Sequence, residues 1–117
     1  MSERNRLPRD YEAITHRFKV GDTKGYLTVG LYADGTPGEV FIRVSKMGST
    51  VSGSLHSFAV MTSIALQRGV PLPELVEKFK HVKFEPSGFT TNTQIPMADS
   101  IVDYVFRWLE LRFLKNS

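Results

Sequence analysis

The stretch KMGSTVSGSLHSF, residues 46–58, sets Gly48, Gly53 and the hydroxyls of Ser49, Thr50, Ser52 and Ser54 between Lys46 and an apolar, helix-like pattern. Small flexible residues, hydroxyl donors and an ammonium at a helix start are the parts of an anion site, because the first backbone N–H groups of a helix have no internal partner. Gly48 and Gly53 stand five apart, as the glycines of a P-loop do, but that motif needs Lys-Ser/Thr directly after the second glycine. Ser54-Leu55 follows here, so this is not an ATPase loop. A simpler arrangement remains: a strand ending at Ser45, a turn, and a helix N-terminus. Arg43, Lys46, Ser49, Thr50, Ser52, Gly53 and Ser54 would then surround a phosphate or nucleotide. The competing reading is that Ser49 or Thr50 caps the helix while Gly48 makes the turn.

A second candidate is FEPSGF, residues 84–89, where Phe84 or Phe89 could stack on a base and Ser87 and Gly88 could close over a ligand. Against it stands the reading that both phenylalanines anchor a long loop to the core. His16, His56 and His81 show no metal-ligand spacing, so no metal site is expected; His16, alternating with strand residues, reads as a partly buried strand histidine. Ser54, His81 and Asp99 could be drawn as a triad, but no nucleophile elbow supports it, and no catalytic residue is expected.

The elements that would position these residues follow from hydrophobic period. Residues 13–20 alternate as a half-buried strand, 26–32 are nearly all apolar, β-branched or aromatic, and 39–45 complete a third strand. Turns are expected at 21–25 and, from Asp34-Gly35, at 33–38. From about residue 50, Val51, Leu55, Phe58, Ala59 and Met61 predict a helix packed on one broad face, stopped by Gly69 and Pro71. Pro73 opens a short helix over 73–81. Residues 82–96 read as an irregular loop, and a last helix spans about 97–114. On it, Asp99, Asp103 and Arg107 are placed on the solvent face, with Asp103–Arg107 a favourable i,i+4 pair. Strands first and helices after predict an α+β two-layer fold: a three-stranded antiparallel meander covered on one face by about three helices. Residues 1–11 read as a basic flexible tail or linker, and 12–117 as one domain.

The chain of 117 residues can bury a core unaided. With no cysteine it has neither disulfides nor thiolate chemistry, which suits a reducing cytoplasm. The formal charge of +3 draws partly on Arg4, Arg6 and Arg9, so no specific nucleic-acid partner is expected. The last apolar pattern is broken by Asp103, Arg107, Glu110 and Arg112, and no membrane partner is expected. Met1 and the charged end at Ser117 fit either a small separate gene product or an excised domain.

Beyond these patterns, LP at Leu7, ITHRF (14–18), GYLTVGLYADGTPGEVFIRVSKMGST (25–50), GVPLPELVEKF (69–79), FEPSGFT (84–90) and SIVDYVFRWL (100–109) closely resemble one region. It lies near the C-terminus of adenosylcobalamin-dependent, class II ribonucleotide reductases, and the resemblance covers roughly residues 7–114. That region is similar to a small domain family named for a Thr-Ser-Cys-Pro-Asp string. Here the string would fall on Ile95-Pro96-Met97-Ala98-Asp99, where Asp99 alone agrees, so no role of its cysteine carries over. The reductases work by radical chemistry on a barrel, with cobalamin and active-site cysteines. The resemblance therefore implies an accessory or regulatory domain linked to deoxyribonucleotide synthesis and DNA replication, without activity alone. It would bind no cofactor itself, adenosylcobalamin belonging to the parent family. Its expected partners are a class II catalytic chain in trans or a second copy of itself. The alternative is a free-standing protein that senses or sequesters a nucleotide-like ligand on the same scaffold.

Overall fold

The computed structural model describes residues 3–115. In chain order these form β1 (Ala13–Val20), β2 (Thr23–Leu31), β3 (Pro37–Val44), α1 (Ser49–Gln67), α2 (Leu72–Phe79), β4 (Gly88–Phe89), β5 (Met97–Ala98) and α3 (Ile101–Leu109). A π-helical turn, Glu110–Leu114, continues α3. β1, β2 and β3 make an antiparallel meander in that order, and β4 pairs with β5. This is the expected α+β architecture, with the helices packed behind one face of the sheet.

The β1–β2 hairpin is tighter than its composition suggests. Val20 pairs with Thr23, so only Gly21-Asp22 turn the chain, and Gly21 takes the left-handed φ of 58° that such a turn requires. Lys24 and Gly25, expected in the turn, are already strand. A Cβ on Gly25 would lie 2.5 Å from the Arg43 carbonyl oxygen and 2.6 Å from Phe18 Cζ. Glycine is therefore what lets the Phe18 ring cross β2. At the second hairpin, Asp34 Oδ1 accepts from the Thr36 amide at 2.9 Å and from its hydroxyl at 2.6 Å, the Asx turn its sequence predicts.

α1 turns its expected apolar face, Val51, Leu55, Phe58 and Ala59, to the core, and because it also lies along the free edge of β3 it buries a polar stripe beside that face. Ser63 Oγ accepts from the Val40 amide at 2.9 Å, and Gln67 Nε2 donates to the Gly38 carbonyl at 2.9 Å. These side chains satisfy edge groups that would otherwise be buried unpaired. Thr62, Ser63 and Gln67 are accordingly buried, whereas Met61, expected on the packed face, is 70% exposed. Gln67 also holds the leader: its Oε1 accepts from Arg4 Nε at 2.6 Å and its carbonyl from the Asn5 amide at 2.7 Å. Leu7 and Tyr11 then lie over Gly30, so described residues of the expected tail are laid against the domain.

The core lies between Leu27, Val29, Val40 and Ile42 of the sheet and Ile101, Tyr104, Val105, Phe106 and Leu109 of α3. Phe58, Phe79 and Phe106 tie the three helices together, with ring centroids 5.3–5.7 Å apart. α3 begins at Ile101 rather than at the expected 97. Ser100 is its N-cap, accepting from the Asp103 amide at 2.9 Å, and Met97–Ala98 are drawn into pairing with Gly88–Phe89.

Candidate functional site

At the start of α1 the expected Ser/Thr cap is absent. Gly48 is the N-cap, in an extended conformation, and no side chain caps the helix. Ser49 and Thr50 lie inside the helix, and a cap must come from the residue before it, where glycine has nothing to offer. No acidic residue stands in the first turn, so the helix supplies no carboxylate of its own to its positive dipole end, although Glu85 lines the pocket beside it. Lys46 precedes this turn, exposed and at a φ of 59°.

Beside this helix end, Thr50, Ser54, Phe58 and Phe84 border a pocket of about 340 Å³ whose apolar wall includes Val51, Leu55, Ile101 and Val102. The two candidate stretches therefore meet, through Thr50, Ser54 and Phe84. Ser49 and Gly53 line an adjoining groove with Ser57 and Met61. The remaining candidates lie elsewhere. Lys46, Gly48 and Ser52 line neither recess, and Arg43 stands on the outer face of the sheet beside Lys24 and Tyr26. Ser87 donates to Glu85 Oε1 at 3.0 Å, and the Phe89 carbonyl accepts from the Gly21 amide at 2.8 Å, stapling Gly88 and Phe89 to the β1–β2 turn. The anchoring reading of the two phenylalanines is corrected: Phe84 is 49% and Phe89 74% exposed. Backbone pairing holds this loop, and its rings are left to solvent.

A cluster that sequence spacing does not reveal lies at the start of α3. Ligand atoms of His81, Asp99 and Asp103 fall within 4.8 Å of one another. Asp103, expected on the solvent face, is fully buried. Its Oδ1 accepts from the His81 amide at 2.6 Å, its Oδ2 from the Asp99 amide at 2.8 Å, and Arg107 Nη1 approaches at 3.4 Å. Both carboxylate oxygens are thus engaged by backbone N–H groups, and the expected Asp103–Arg107 pair forms as part of the same clamp. The Ser100-x-x-Asp103 spacing, a capping pattern, was the available signal. Ser54 lines the α1 pocket, apart from this clamp, so Ser54, His81 and Asp99 form no triad.

His16 is half-buried, as its place in β1 predicts. It stacks on Trp108 at 4.9 Å and on Tyr104 at 5.9 Å, and its Nε2 lies 2.8 Å from Tyr104 Oη. Asn92 Nδ2 donates to the same oxygen at 3.0 Å, leaving the phenol proton for a neutral imidazole. Burial pushes the His16 pKa below its usual value and raises that of Tyr104, the Asn92 hydrogen bond acting the other way. The network ties β1 to α3 and to the loop before it.

The TSCPD domain family model matches residues 3–113. A vitamin B12-dependent ribonucleotide reductase of Rhodopirellula baltica is 49% identical over 114 residues, 97% of this chain and 11% of that one. Its counterpart in Streptantibioticus cattleyicolor is 48% identical over 95% of this chain and 18% of its own. In Agrobacterium fabrum the figures are 43%, 96% and 9%. The chain thus spans between 9% and 18% of the length of these relatives. No solved structure matches it, and no helix among the described residues is long and apolar enough to cross a membrane.

Proposed function

Because the chain belongs to the TSCPD domain family, we propose that it is a non-catalytic accessory domain of a vitamin B12-dependent ribonucleotide reductase, acting in the cytoplasm in deoxyribonucleotide supply. One observation carries this reading. Nearly the whole chain matches a small part of proteins named for that activity, while it has no cysteine for thiyl or disulfide chemistry. No step is routed through B12 on this chain.

The surface offered to a catalytic chain is the exposed side of α1 and the adjoining loop. Val60 and Met61 are exposed there, beside Gly53, Ser57 and the Phe84 pocket. Small residues let a partner approach the helix closely, and Met61 and Phe84 supply apolar anchors. The test is sedimentation of the chain with a B12-dependent catalytic chain truncated before its own matching segment. Association with a Kd of about 1 µM or tighter is expected, and Met61→Asp should weaken it at least tenfold. No association at that concentration, or an unaffected Met61→Asp variant, overturns the reading.

A second reading rests on the uncapped start of α1. A nucleotide would place its phosphate at those amides and its base against Phe84. Calorimetric titration with a nucleotide panel tests this: heat that disappears in Phe84→Ala supports it, and no heat in the wild-type chain removes it.

A further inference from the structure

The meander sorts its side chains by parity, and the face turned away from the helices has a composition that the linear sequence hides. Arg17, Tyr26 and Arg43 stand directly opposite one another across β1, β2 and β3. The next row towards the β1–β2 turn carries Lys19 opposite Lys24, and the row on the other side carries Thr15, Thr28 and Phe41. Tyr26 is 48% and Phe41 44% exposed, although both are large rings on a sheet. Arg17, Lys24 and Arg43 are exposed and Lys19 half-exposed. Among the described residues none of these four cations makes an ion pair. Glu39, the strand acid on this face, lies one row beyond Phe41, at the end where Leu7 and Tyr11 of the leader cover Gly30. The leader therefore covers the acidic end and leaves the cationic end open, as a shallow recess of about 610 Å³.

We infer that this outer sheet face binds single-stranded DNA, without strong sequence preference. Directly opposed residues are about 5 Å apart and diagonal ones about 7–8 Å, so Tyr26 and Phe41, diagonal neighbours on β2 and β3, can each take one of two successive bases. The four cations lie around the rings, where a backbone passing over them carries its phosphates. Stacking rings inside a positive groove are the general means of holding a strand regardless of sequence. An acidic peptide would use the cations but leave both rings without a partner, and a mononucleotide would occupy one ring and one row. The serine and threonine hydroxyls on the face are turned to protein groups, with Thr15 and Thr28 facing each other at 3.4 Å and Ser45 Oγ donating to the Lys24 carbonyl at 3.2 Å. What remains free offers charge to phosphates and rings to base faces, both of which DNA supplies. The inference rests on strand register and charge, independently of the reductase reading.

The experiment is fluorescence anisotropy of a labelled oligothymidylate of about a dozen nucleotides, titrated with the full chain. Binding is expected with a Kd of about 100 µM or tighter at low salt, and a log–log salt slope of about −3 if four cations are used. Tyr26→Ala and Phe41→Ala should each weaken binding about fivefold or more, while Tyr26→Phe, which keeps the ring, should not. Arg17→Ala or Arg43→Ala should flatten the slope by about 0.7, and Lys78→Glu, on α2, should change nothing. Thermal melts of each variant separate lost binding from lost fold. No binding at low salt, equal affinity for the corresponding duplex, or unchanged affinity in both folded alanine variants overturns the proposal. Competition by polyglutamate as effective as by the strand also overturns it and assigns the face to an acidic protein.

Discussion

Replacing Asp103 by alanine tests the clamp at the start of α3. The side chain is fully buried, and removing it strips the acceptor from the His81 amide at 2.6 Å, from the Asp99 amide at 2.8 Å, and from Arg107 Nη1 at 3.4 Å. A buried donor left without an acceptor costs about 1–3 kcal/mol, and a broken buried ion pair about 3–5 kcal/mol. These terms overlap, and His81 and Arg107 can turn partly to water. We therefore expect Asp103→Ala to lose about 3–5 kcal/mol, a large share of the roughly 5–15 kcal/mol that holds a domain of this kind. Asp103→Asn keeps one carbonyl acceptor and should lose about half as much. Urea unfolding followed by tryptophan fluorescence gives both values, Trp108 lying on the same helix. Hydrogen exchange should show the His81 and Asp99 amides losing protection before the sheet does. A loss below about 1 kcal/mol in Asp103→Ala would refute the claim that this carboxylate joins loop and helix.

Three further outcomes follow from named contacts. Because burial lowers the His16 pKa below the usual 6.5, the unfolded chain takes up the proton first; stability should be greatest above pH 6.5 and decline as pH falls below it, and His16→Phe should remove that part of the slope in urea midpoints. Gly25→Ala should destabilise by about 1–3 kcal/mol, since its Cβ would sit 2.5 Å from a backbone oxygen. Gly53→Ala, in α1 with nothing within 4 Å of the new methyl, should instead raise stability by about 0.5–1 kcal/mol in the same titration.

What the sequence disclosed was whatever depends on near neighbours. The alternation of 13–20 coincides with β1 to the residue, Asp34-Gly35 makes its hairpin, and Gly69 and Pro73 punctuate the helices where propensity says they should. What it concealed depends on partners far along the chain. Asp103 looked like a solvent residue because its partner amide at His81 lies 22 positions away. Ser63 and Gln67 are buried on α1 because β3, more than twenty positions earlier, supplies the edge they satisfy. Arg43 was grouped with Lys46 by proximity in sequence, whereas strand register sets it opposite Tyr26. Phe84 and Phe89, being large and apolar, admit a core-anchoring reading in sequence as readily as a stacking one, but backbone pairing already holds their loop. The candidate site was accordingly half legible: Thr50, Ser54 and Phe84 do converge, and the charged residues meant to join them do not.

Deoxyribonucleotide formation by a B12-dependent catalytic chain lacking its own TSCPD segment, measured with and without this chain and beside this chain alone, tests the accessory-domain reading most directly. The account predicts no product from this chain alone and a changed rate when the two are mixed. Product from this chain unaided, or a rate indifferent to it at saturating concentration, would contradict the account.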